Sequence, residues 1–492
     1  MIDHINKSPY YKWWAFVVVA VGIFASVMDQ GSVNVALPMM ADYFQTILPT
    51  VQWVVIGHVL VISALLLPMG RVADLIGLKR VFILGSAVFI GGALISGSSE
   101  TLGILIIARL VQGGGAAMTQ GTGMAIVMAT FPESERGKAI GSIMSIVGVG
   151  AIAGPAVGGF LVDALGWRSV FYANIIPVGI SILLGLAILV NQPDHNTSSH
   201  SNKFDWIGAV TSAVLLLVFL LTITSGHKTG WTSPFILISI ISLISLITFF
   251  IWWENRSTSP MLDLNYFKHP TFSFSVSAGF LIFLGNSAVL FLTPFYLQRI
   301  LDLTPRMSGL VMVPGAMCMA LLGPLSGRLS DRFGWRIFTL TGLTLCGTGL
   351  LILTRLTPSS SILMVFSALI CHSSGMGIFY SPNVSAVLST VSRARYGVVS
   401  AFLNLVRNAG NVASIAIATA IVTTTMGSQG YRPSLEYVQA VDATGIGAAF
   451  TTGLSNAFLL LSSFIFLAMV LSAFKFNKLN NHDTGQRTFQ KH

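Results

Sequence analysis

Charged residues are scarce in this sequence of 492 residues. Aspartate, glutamate, lysine and arginine together make up 9% of it, whereas hydrophobic residues make up 53%. An ordinary soluble domain carries roughly 25% charged residues. This shortage of charge excludes a soluble protein and predicts an integral membrane protein.

Cysteine is also rare. Cys318, Cys346 and Cys371 fall inside apolar runs, and three cysteines cannot all pair, so the sequence supports neither a disulfide framework nor a cysteine metal site.

The sequence has no metal-ligand cluster, nucleophile motif or Walker loop, which argues against an enzyme or an ATP-driven pump. The net charge of +10 predicts no nucleic-acid partner here, because in a membrane protein the distribution of basic residues among loops is what matters.

Long apolar runs are abundant. A helix needs about 20 apolar residues to cross a bilayer, and we count fourteen such runs in the sequence. They lie near 13-38, 51-70, 80-99, 103-125, 138-161, 168-190, 206-225, 233-253, 271-297, 307-326, 336-355, 361-389, 397-425 and 449-474. We expect the first run to stay as a spanning helix, because it lacks a small-residue cleavage site after a short core.

Lysine and arginine are distributed unevenly between the two sides of this arrangement. Nineteen of the 27 fall on the side of the N-terminus, six fall on the opposite side, and Arg109 and Arg407 lie within runs. Loops rich in basic residues face the cytoplasm. The sequence therefore predicts a multi-pass protein of the cell membrane with both termini in the cytoplasm.

The chain contains an internal repeat. GRVADLIGLK at 70-79 recurs as GRLSDRFGWR at 327-336, an offset of 257 residues. Such repeats indicate a transporter built from two related halves. The polar stretches 191-205 and 254-270 are interpreted as cytoplasmic linkers around two extra helices. The predicted organisation is a six-helix bundle at 1-190, a linker with two inserted transmembrane helices at 191-270, a second six-helix bundle at 271-474 and a cytoplasmic tail at 475-492.

The first apolar run ends in MDQGSVNVALP, which places Asp29 inside the bilayer. An ionised carboxylate there costs several kcal/mol unless it has a partner, a proton or a water-filled cavity. Counting at about 1.5 Å per residue puts Asp29 about 14 Å, His58 about 10 Å and Arg109 about 9 Å below the outer ends of their helices. The three groups are therefore predicted to share one depth in the first half.

Two glycine-rich segments accompany these residues. RLVQGGGAA at 109-117 contains Arg109, whose guanidinium stays charged and must find carboxylate, carbonyl or water inside the bilayer. GAIAGPAVGG at 150-159 places glycines at helical spacing around Pro155, so that neighbouring helices can approach closely and the helix can bend.

In order and spacing, these motifs resemble the major facilitator superfamily and, within it, the fourteen-helix drug:proton antiporters. The resemblance covers nearly the whole chain and implies an all-α major facilitator fold of two six-helix bundles plus two inserted helices. It also implies that the glycine motif of helix 5 is an antiporter signature, which favours export over uptake; generic tight packing of helices, with no bearing on the direction of transport, is the alternative. The residues of that signature are Gly150, Gly154, Pro155, Gly158 and Gly159.

The resemblance further implies that the two repeated loops act as a conformational latch, although a solvated turn whose charges only set topology is the alternative. The latch residues are Gly70, Arg71, Asp74, Gly77, Lys79, Arg80, Gly327, Arg328, Asp331, Arg332, Gly334 and Arg336. The first loop departs from the family at Leu75, where a basic residue is usual. A charge relay through that loop is therefore less expected.

Asp29, Arg109 and His58 are the predicted proton-coupling residues. The carboxylate of Asp29 is expected to be protonated and ionised in turn as the cavity changes sides, so that proton and substrate compete for one charge; the alternative is a structural hydrogen bond between helices. His58 stands where the family more often has tyrosine. A neutral histidine held in a helix interface is the alternative to a role in proton handling.

Polar residues also lie in the spans of the second half. In NLVRNAGN at 404-411 the asparagines share one helix face, which fits either a substrate cavity or a buried interface between halves. The predicted cavity residues are Asn34, Gln112, Asn286, His372, Asn383, Asn404, Arg407, Asn408 and Asn411.

The function predicted from sequence is proton-coupled export of amphipathic cationic or neutral drugs by alternating access. A dedicated exporter of one lipid, metabolite or antibiotic is the alternative, and a membrane enzyme or receptor is a weaker one. The predicted partners are a small amphipathic substrate, protons and the lipid bilayer. No cofactor beyond the proton gradient is expected, and the protein is expected to be a monomer, because the family's transport path lies within one chain.

Overall fold

The computed structural model describes residues 10–132, 135–190, 205–229, 233–257, 264–391, 396–431 and 443–487, and these residues form helices and turns without a β-strand. The helices are α1 Tyr11–Tyr43, α2 Trp53–Ile76, α3 Leu78–Gly97, α4 Leu102–Thr130, α5 Arg136–Leu165, α6 Ser169–Ile188, α7 Trp206–Thr229, α8 Pro234–Arg256, α9 Pro270–Phe295, α10 Pro305–Phe333, α11 Trp335–Leu353, α12 Ile362–Leu388, α13 Tyr396–Ser428 and α14 Ala443–Arg487. A single turn, Leu48–Val51, leads into α2, a 3₁₀ turn, Leu264–Lys268, precedes α9, and a π-helical turn, Tyr296–Ile300, follows it.

Thirteen of the helices in the described residues are long and apolar enough to span a membrane, and α7 contributes a shorter apolar stretch, Trp206–Phe219. The predicted all-α membrane fold is thus confirmed. The observed helices extend beyond several predicted runs: α1 continues to Tyr43, and α2 continues to Ile76. The loops between spans are correspondingly shorter than the hydropathy pattern indicates.

Consecutive helices cross the bundle in alternating directions, so their turns gather at two ends. We call these the Gly77 end, which also holds Phe131 and Gly334, and the Arg299 end, which also holds Gly166. Gly77 (φ +100°) and Gly334 (φ +82°) have backbone angles that suit glycine. Each joins two helices at the same point of the repeat.

Buried apolar side chains show how the halves meet. At the Arg299 end a single cluster includes Leu37 and Met40 of α1 together with Phe291 and Phe295 of α9. At the Gly77 end the two halves have separate clusters, one around Phe131 and the other around Phe272 and Val387 of the second half. The apolar core is therefore continuous between halves at the Arg299 end.

The inserted helices lie on the side of the bundle. Helix α7 packs against α2 of the first half and α13 of the second, and α8 packs on α7. Only 6% of the apolar stretch of α8 is buried. The pair therefore covers one seam between the halves and presents α8 to lipid.

Two acidic side chains are buried where the inserted helices meet. Oδ1 of Asp205 accepts hydrogen bonds from the Gly208 amide and from the Trp253 indole, both at 2.7 Å. A Cβ added to Gly208 would lie 2.7 Å from Oδ2 of Asp205 and 2.8 Å from Oε1 of Glu254. The sequence assigned Asp205 and Glu254 to the edges of solvated linkers, whereas the structure buries both at the joint of α7 and α8.

Candidate functional site

The carboxylate of Asp29 lies at the centre of a buried polar cluster in the first half. Its Oδ2 is 2.7 Å from Nη1 of Arg109. Its Oδ1 accepts hydrogen bonds from Nε2 of Gln112 at 3.2 Å and from Nδ2 of Asn174 at 2.9 Å. Helices α1, α4 and α6 therefore meet at one acid, and we call these residues with His58 the Asp29 cluster.

Three hydrogen-bond acceptors hold the guanidinium of Arg109 in place, and the first of them is the carboxylate of Asp29. Its Nη1 also donates to Oε1 of Gln112 at 2.7 Å, and its Nε donates to the carbonyl of Val54 at 3.0 Å. The guanidinium carbon lies 5.8 Å from the centre of the Phe171 ring. A buried charge is tolerated when it is paired and hydrogen-bonded, and Asp29 and Val54 provide that compensation.

His58 of α2 completes the cluster without a direct hydrogen bond to the acid. Its Nδ1 lies 3.4 Å from the carbonyl of Arg109, and its Nε2 lies 3.9 Å from Oδ2 of Asp29. A small change in the position of α2 would bring the imidazole within hydrogen-bonding distance of Asp29. Whether His58 handles protons stays a prediction.

The structure brings together the three residues to which the sequence assigned proton coupling. Gln112, which the sequence placed in the substrate cavity, is fully buried in the same cluster. Asn174 was missed. The signal that could have found it is that Asn174 is the only amide or charged side chain within α6.

The glycine motif of α5 forms two contact surfaces at once. A Cβ on Gly154 would lie 2.8 Å from Cα of Gly31, and a Cβ on Gly158 would lie 2.5 Å from Cα of Ser32, both in α1. Gly159 faces the other half: its Cβ would lie 2.6 Å from the Pro305 carbonyl of α10. The motif therefore packs α5 against the helix that carries Asp29 and against the second half.

Gly150 and Pro155 extend the contact between α5 and α1. A Cβ on Gly150 would lie 3.0 Å from Cβ of Val27, and Cδ of Pro155 lies 2.8 Å from the Cβ position of Gly31. Gly31 of α1 therefore packs on α5.

Replacement of Gly158 by alanine is expected to destabilise the protein by about 1–3 kcal/mol and to reduce transport, because the new methyl group meets backbone that cannot move aside. Unfolding of the detergent-solubilised protein measures the first effect. Gly179→Ala in α6 is the matched control, since a Cβ there has no neighbour within 4 Å. Equal stability of the two variants would contradict the packing described here.

The other predicted cavity residues separate into two groups. His372, Asn383 and Asn408 are buried; Nε2 of His372 lies 3.2 Å from Oδ1 of Asn286, and Nδ2 of Asn383 donates to the carbonyl of Ser275 at 3.1 Å. The half-buried residues are Asn34, Asn286, Asn404, Arg407 and Asn411. A cavity role remains a prediction for both groups.

Arg407 is held in the second half by a long contact, 3.5 Å, from Nη1 to the hydroxyl of Tyr380. The Oδ1 atoms of Asn34 and Asn411 are buried without a hydrogen-bond partner among the described residues. Asn34 on α1 and Asn411 on α13 could therefore each accept a further hydrogen bond.

The repeated loops are described only in part. Nζ of Lys79 donates to the carbonyls of Leu186, at 3.0 Å, and Leu189 at the end of α6, and Arg332 lies over the ring of Phe333 at 5.4 Å. Arg80 and Arg328 are exposed. The side chains of Arg71, Asp74 and Asp331 and the surroundings of Gly70 lie outside the described residues. A Cβ on Gly327 would lie 2.6 Å from Oγ of Ser381, and Arg336 is the second residue of α11, after Trp335. The latch role stays a prediction.

Comparison with known proteins agrees with this architecture. The family model described as Major Facilitator Superfamily matches residues 19–226 and 204–415. The riboflavin transporter RibZ of Clostridioides difficile (strain 630) is 30% identical over 468 residues, which cover 95% of this chain and 98% of that protein. The multidrug resistance protein Stp of Mycobacterium tuberculosis (strain CDC 1551 / Oshkosh) is 30% identical over 402 residues, which cover 82% of this chain and 74% of that protein.

A solved structure shares the fold. The crystal structure of a bacterial homolog of the human lysosomal transporter Spinster, in an inward-facing and unoccupied conformation, superposes with a TM-score of 0.66 at 15% identity and covers 96% of this chain and 98% of that one. This likeness agrees with the helical arrangement. The chain belongs to the Major Facilitator Superfamily and is a multi-pass membrane transporter of small molecules, not an enzyme.

Proposed function

We propose that the protein is a proton-coupled antiporter that exports amphipathic cationic or neutral compounds across the cell membrane by alternating access. The observation that carries this proposal is the pairing of Asp29 with Arg109, at 2.7 Å, in the membrane-spanning part of the first half. Ionisable groups inside membrane spans mark ion and substrate pathways. No cofactor is needed, because the proton gradient drives the exchange.

The Asp29 cluster supplies a site at which proton and substrate exclude each other. Three donors surround the carboxylate, an arrangement that suits its ionised form. When the cavity changes sides and Arg109 moves away, the acid takes up a proton, which removes the negative charge that attracts a cationic substrate. Release of that proton to the other side restores the attraction.

The direction of transport is supported by two observations. The glycine motif of α5 resembles the antiporter signature and packs α5 on both α1 and α10. The relative Stp is described as a multidrug resistance protein. Export of drugs in exchange for protons accounts for both, and the chain is proposed to act as a monomer because both halves of the path lie within it.

The distribution of basic residues assigns the Gly77 end and both termini to the cytoplasm. The Arg299 end is then the outer side. There Nη2 of Arg299 donates to the carbonyl of Pro38 at 3.0 Å and Nε2 of Gln298 donates to the carbonyl of Val35 at 2.9 Å, and Arg299 forms an ion pair with Asp42. Together with the shared apolar core, these contacts close the outer side in this conformation.

Replacement of Arg299 by glutamine is expected to open the outer side more often. Loss of a partly exposed ion pair is worth about 1 kcal/mol, which shifts the equilibrium between conformations about fivefold. In protein whose three native cysteines are replaced, a cysteine at Asn34 would react correspondingly faster with a membrane-impermeant thiol reagent added from outside.

Arg168→Gln is the matched control for this prediction. Arg168 lies at the same end, but it stacks on Tyr43 and Trp167 at 4.4 Å and donates to the carbonyl of Ser99 at 2.9 Å, all within the first half. Faster labelling in both variants, or in neither, would contradict the assignment of Arg299 to the closure between halves.

A second candidate function is transport of one polar metabolite. It is favoured by the similarity to RibZ, a riboflavin transporter that aligns over 95% of this chain. The amide oxygens of Asn34 and Asn411, which have no partner in the described part of the chain, would suit the N–H donors of such a substrate.

Transport into proteoliposomes with an imposed pH gradient tests both candidates. Riboflavin is compared with a panel of fluorescent lipophilic cations and neutral dyes. The proposed function predicts accumulation of several unrelated cations that stops when the gradient is dissipated. Transport of riboflavin alone would favour the second candidate, and transport that is insensitive to the gradient would overturn the proposal of proton coupling.

A further inference from the structure

The second half repeats the packing frame of the Asp29 cluster. In the first half, a Cβ on Gly92 of α3 would lie 2.7 Å from the backbone nitrogen of Gln112 in α4. In the second half, a Cβ on Gly349 of α11 would lie 2.6 Å from the backbone nitrogen of His372 in α12. Gly92 and Gly349 are separated by the same 257 residues as the repeated loops. His372 therefore occupies in the second half the place that Gln112 occupies in the first.

The partner of this residue is repeated as well. Asn286 follows Asp29 by 257 residues and lies on α9, the first helix of the second half. Nε2 of His372 is 3.2 Å from Oδ1 of Asn286, as Nε2 of Gln112 is 3.2 Å from Oδ1 of Asp29. The Asn286–His372 pair is the second copy of the Asp29–Gln112 pair.

The charges have changed between the copies. Leu369, three residues before His372, stands where Arg109 precedes Gln112. Gly315 stands in the place of His58: its Cβ would lie 3.1 Å from the carbonyl of Leu369. The first pair consists of the acid Asp29 and the amide Gln112, whereas the second consists of the amide Asn286 and the imidazole His372. Each pair therefore contains one ionisable group.

The imidazole of His372 faces an oxygen on each side. Besides Oδ1 of Asn286, the carbonyl of Cys346 lies 3.4 Å from Nδ1. A neutral imidazole has one N–H, whereas a protonated one has two. Both oxygens accept a hydrogen bond only when His372 has bound a proton.

The neighbouring helices bring little other charge to this site. Cys346 comes from α11, Cys318 lies on α10, and Arg407 of α13 contacts Tyr380 of α12. The apolar runs predicted for the second half contain no aspartate or glutamate. A proton on His372 therefore adds a positive charge that no acid within these apolar runs neutralises.

We propose that His372, positioned by Asn286, is a second proton-binding site of the transport cycle. This inference rests on the proposed function. A proton on Asp29 removes a negative charge, and a proton on His372 adds a positive one, so both weaken the binding of a cation. Binding of one cation would then release one proton from each half.

Proton release by purified protein in weakly buffered detergent tests the proposal. Tetraphenylphosphonium is the probe, because this lipophilic cation carries no proton of its own. The maximal release between pH 4 and 6 is expected to fall by about half in His372→Gln, which restores the residue found in the first half. Cys371→Ser, one position away, is the control and should release as much as the parent.

The outcomes separate the two proposals. Equal release by His372→Gln and the parent, with release lost in Asp29→Asn, would overturn the second site and leave the proposed function standing. No release by the parent would overturn the proposed function and this inference with it.

A second measurement needs no substrate. The imidazole ring signals of histidine-labelled protein are recorded by NMR, and that of His372 is identified by its loss in His372→Gln. It is expected to shift as the pH is lowered from 7 to 4, and the shift should move to higher pH in Asn286→Asp, where a carboxylate faces the ring. A signal that is constant over this range in both proteins would overturn the proposal.

Discussion

Replacement of Asp29 by asparagine is expected to reduce proton-coupled exchange to the rate of protein-free liposomes. Asparagine keeps the shape of the side chain but cannot bind and release a proton, and it leaves Arg109 without a countercharge. Substrate uptake into proteoliposomes under an imposed pH gradient measures the effect. Binding of an uncharged substrate should persist, since the change removes coupling rather than the cavity.

Two controls separate loss of coupling from loss of the fold. Asp29→Glu keeps an ionisable acid on α1 and is expected to retain coupling in part, whereas Asp302→Asn removes an acid outside the spans and should behave as the parent. Gradient-driven exchange that is undiminished in Asp29→Asn would show that the Asp29 cluster has only a structural role.

Replacement of Arg109 by leucine is expected to lower the free energy of unfolding by about 3–5 kcal/mol, because it leaves a buried carboxylate without its countercharge. The change also removes the donor to the carbonyl of Val54. Leucine is the residue at the corresponding place of the second half, Leu369, so its size is compatible with the helix packing. Unfolding of the solubilised protein in mixed micelles measures the loss.

A double-mutant cycle identifies the charge pair as the cause. The variant with both Asp29→Asn and Arg109→Leu has no unpaired charge and is expected to be more stable than Arg109→Leu alone. Arg109→Lys keeps the charge but loses the bond from Nε, so its destabilisation should be smaller. Additive effects of the two single changes would contradict direct coupling between Asp29 and Arg109.

The sequence was sufficient to bring Asp29, Arg109 and His58 together, because helix rise and topology fix the depth of a residue in a membrane span. It also predicted the all-helical fold and fourteen spans, of which thirteen are long and apolar enough in the described residues and the other, in α7, is shorter. Depth alone does not give the rotation of a helix. For this reason Gln112, which bonds to both Asp29 and Arg109, was assigned to a cavity.

Other features depend on contacts that no local pattern reveals. Gly31 packs on Gly154, and a glycine in an apolar run looks the same whether it faces a helix or a cavity. Asn174 contributes a hydrogen bond to Asp29 across 145 positions of sequence. Asp205 is buried because Trp253 and Gly208 meet it in space, although it ends the polar stretch 191-205 of the sequence.

The contacts between the two halves could not be predicted from the sequence either. Arg299 looks like an ordinary basic residue of a loop, and only the structure shows it bridging to Asp42 and Pro38 of the first half. The conformation that the chain adopts follows from such contacts between distant segments.

The most direct test of the central claim is the reciprocal experiment, in which a substrate gradient drives protons. Proteoliposomes loaded with tetraphenylphosphonium are diluted into substrate-free medium with the membrane potential clamped, and the internal pH is followed with a trapped dye. The account predicts acidification of the interior by the parent protein, as the cation leaves and protons enter, and no change with Asp29→Asn. Efflux of the cation by the parent without any pH change would contradict it.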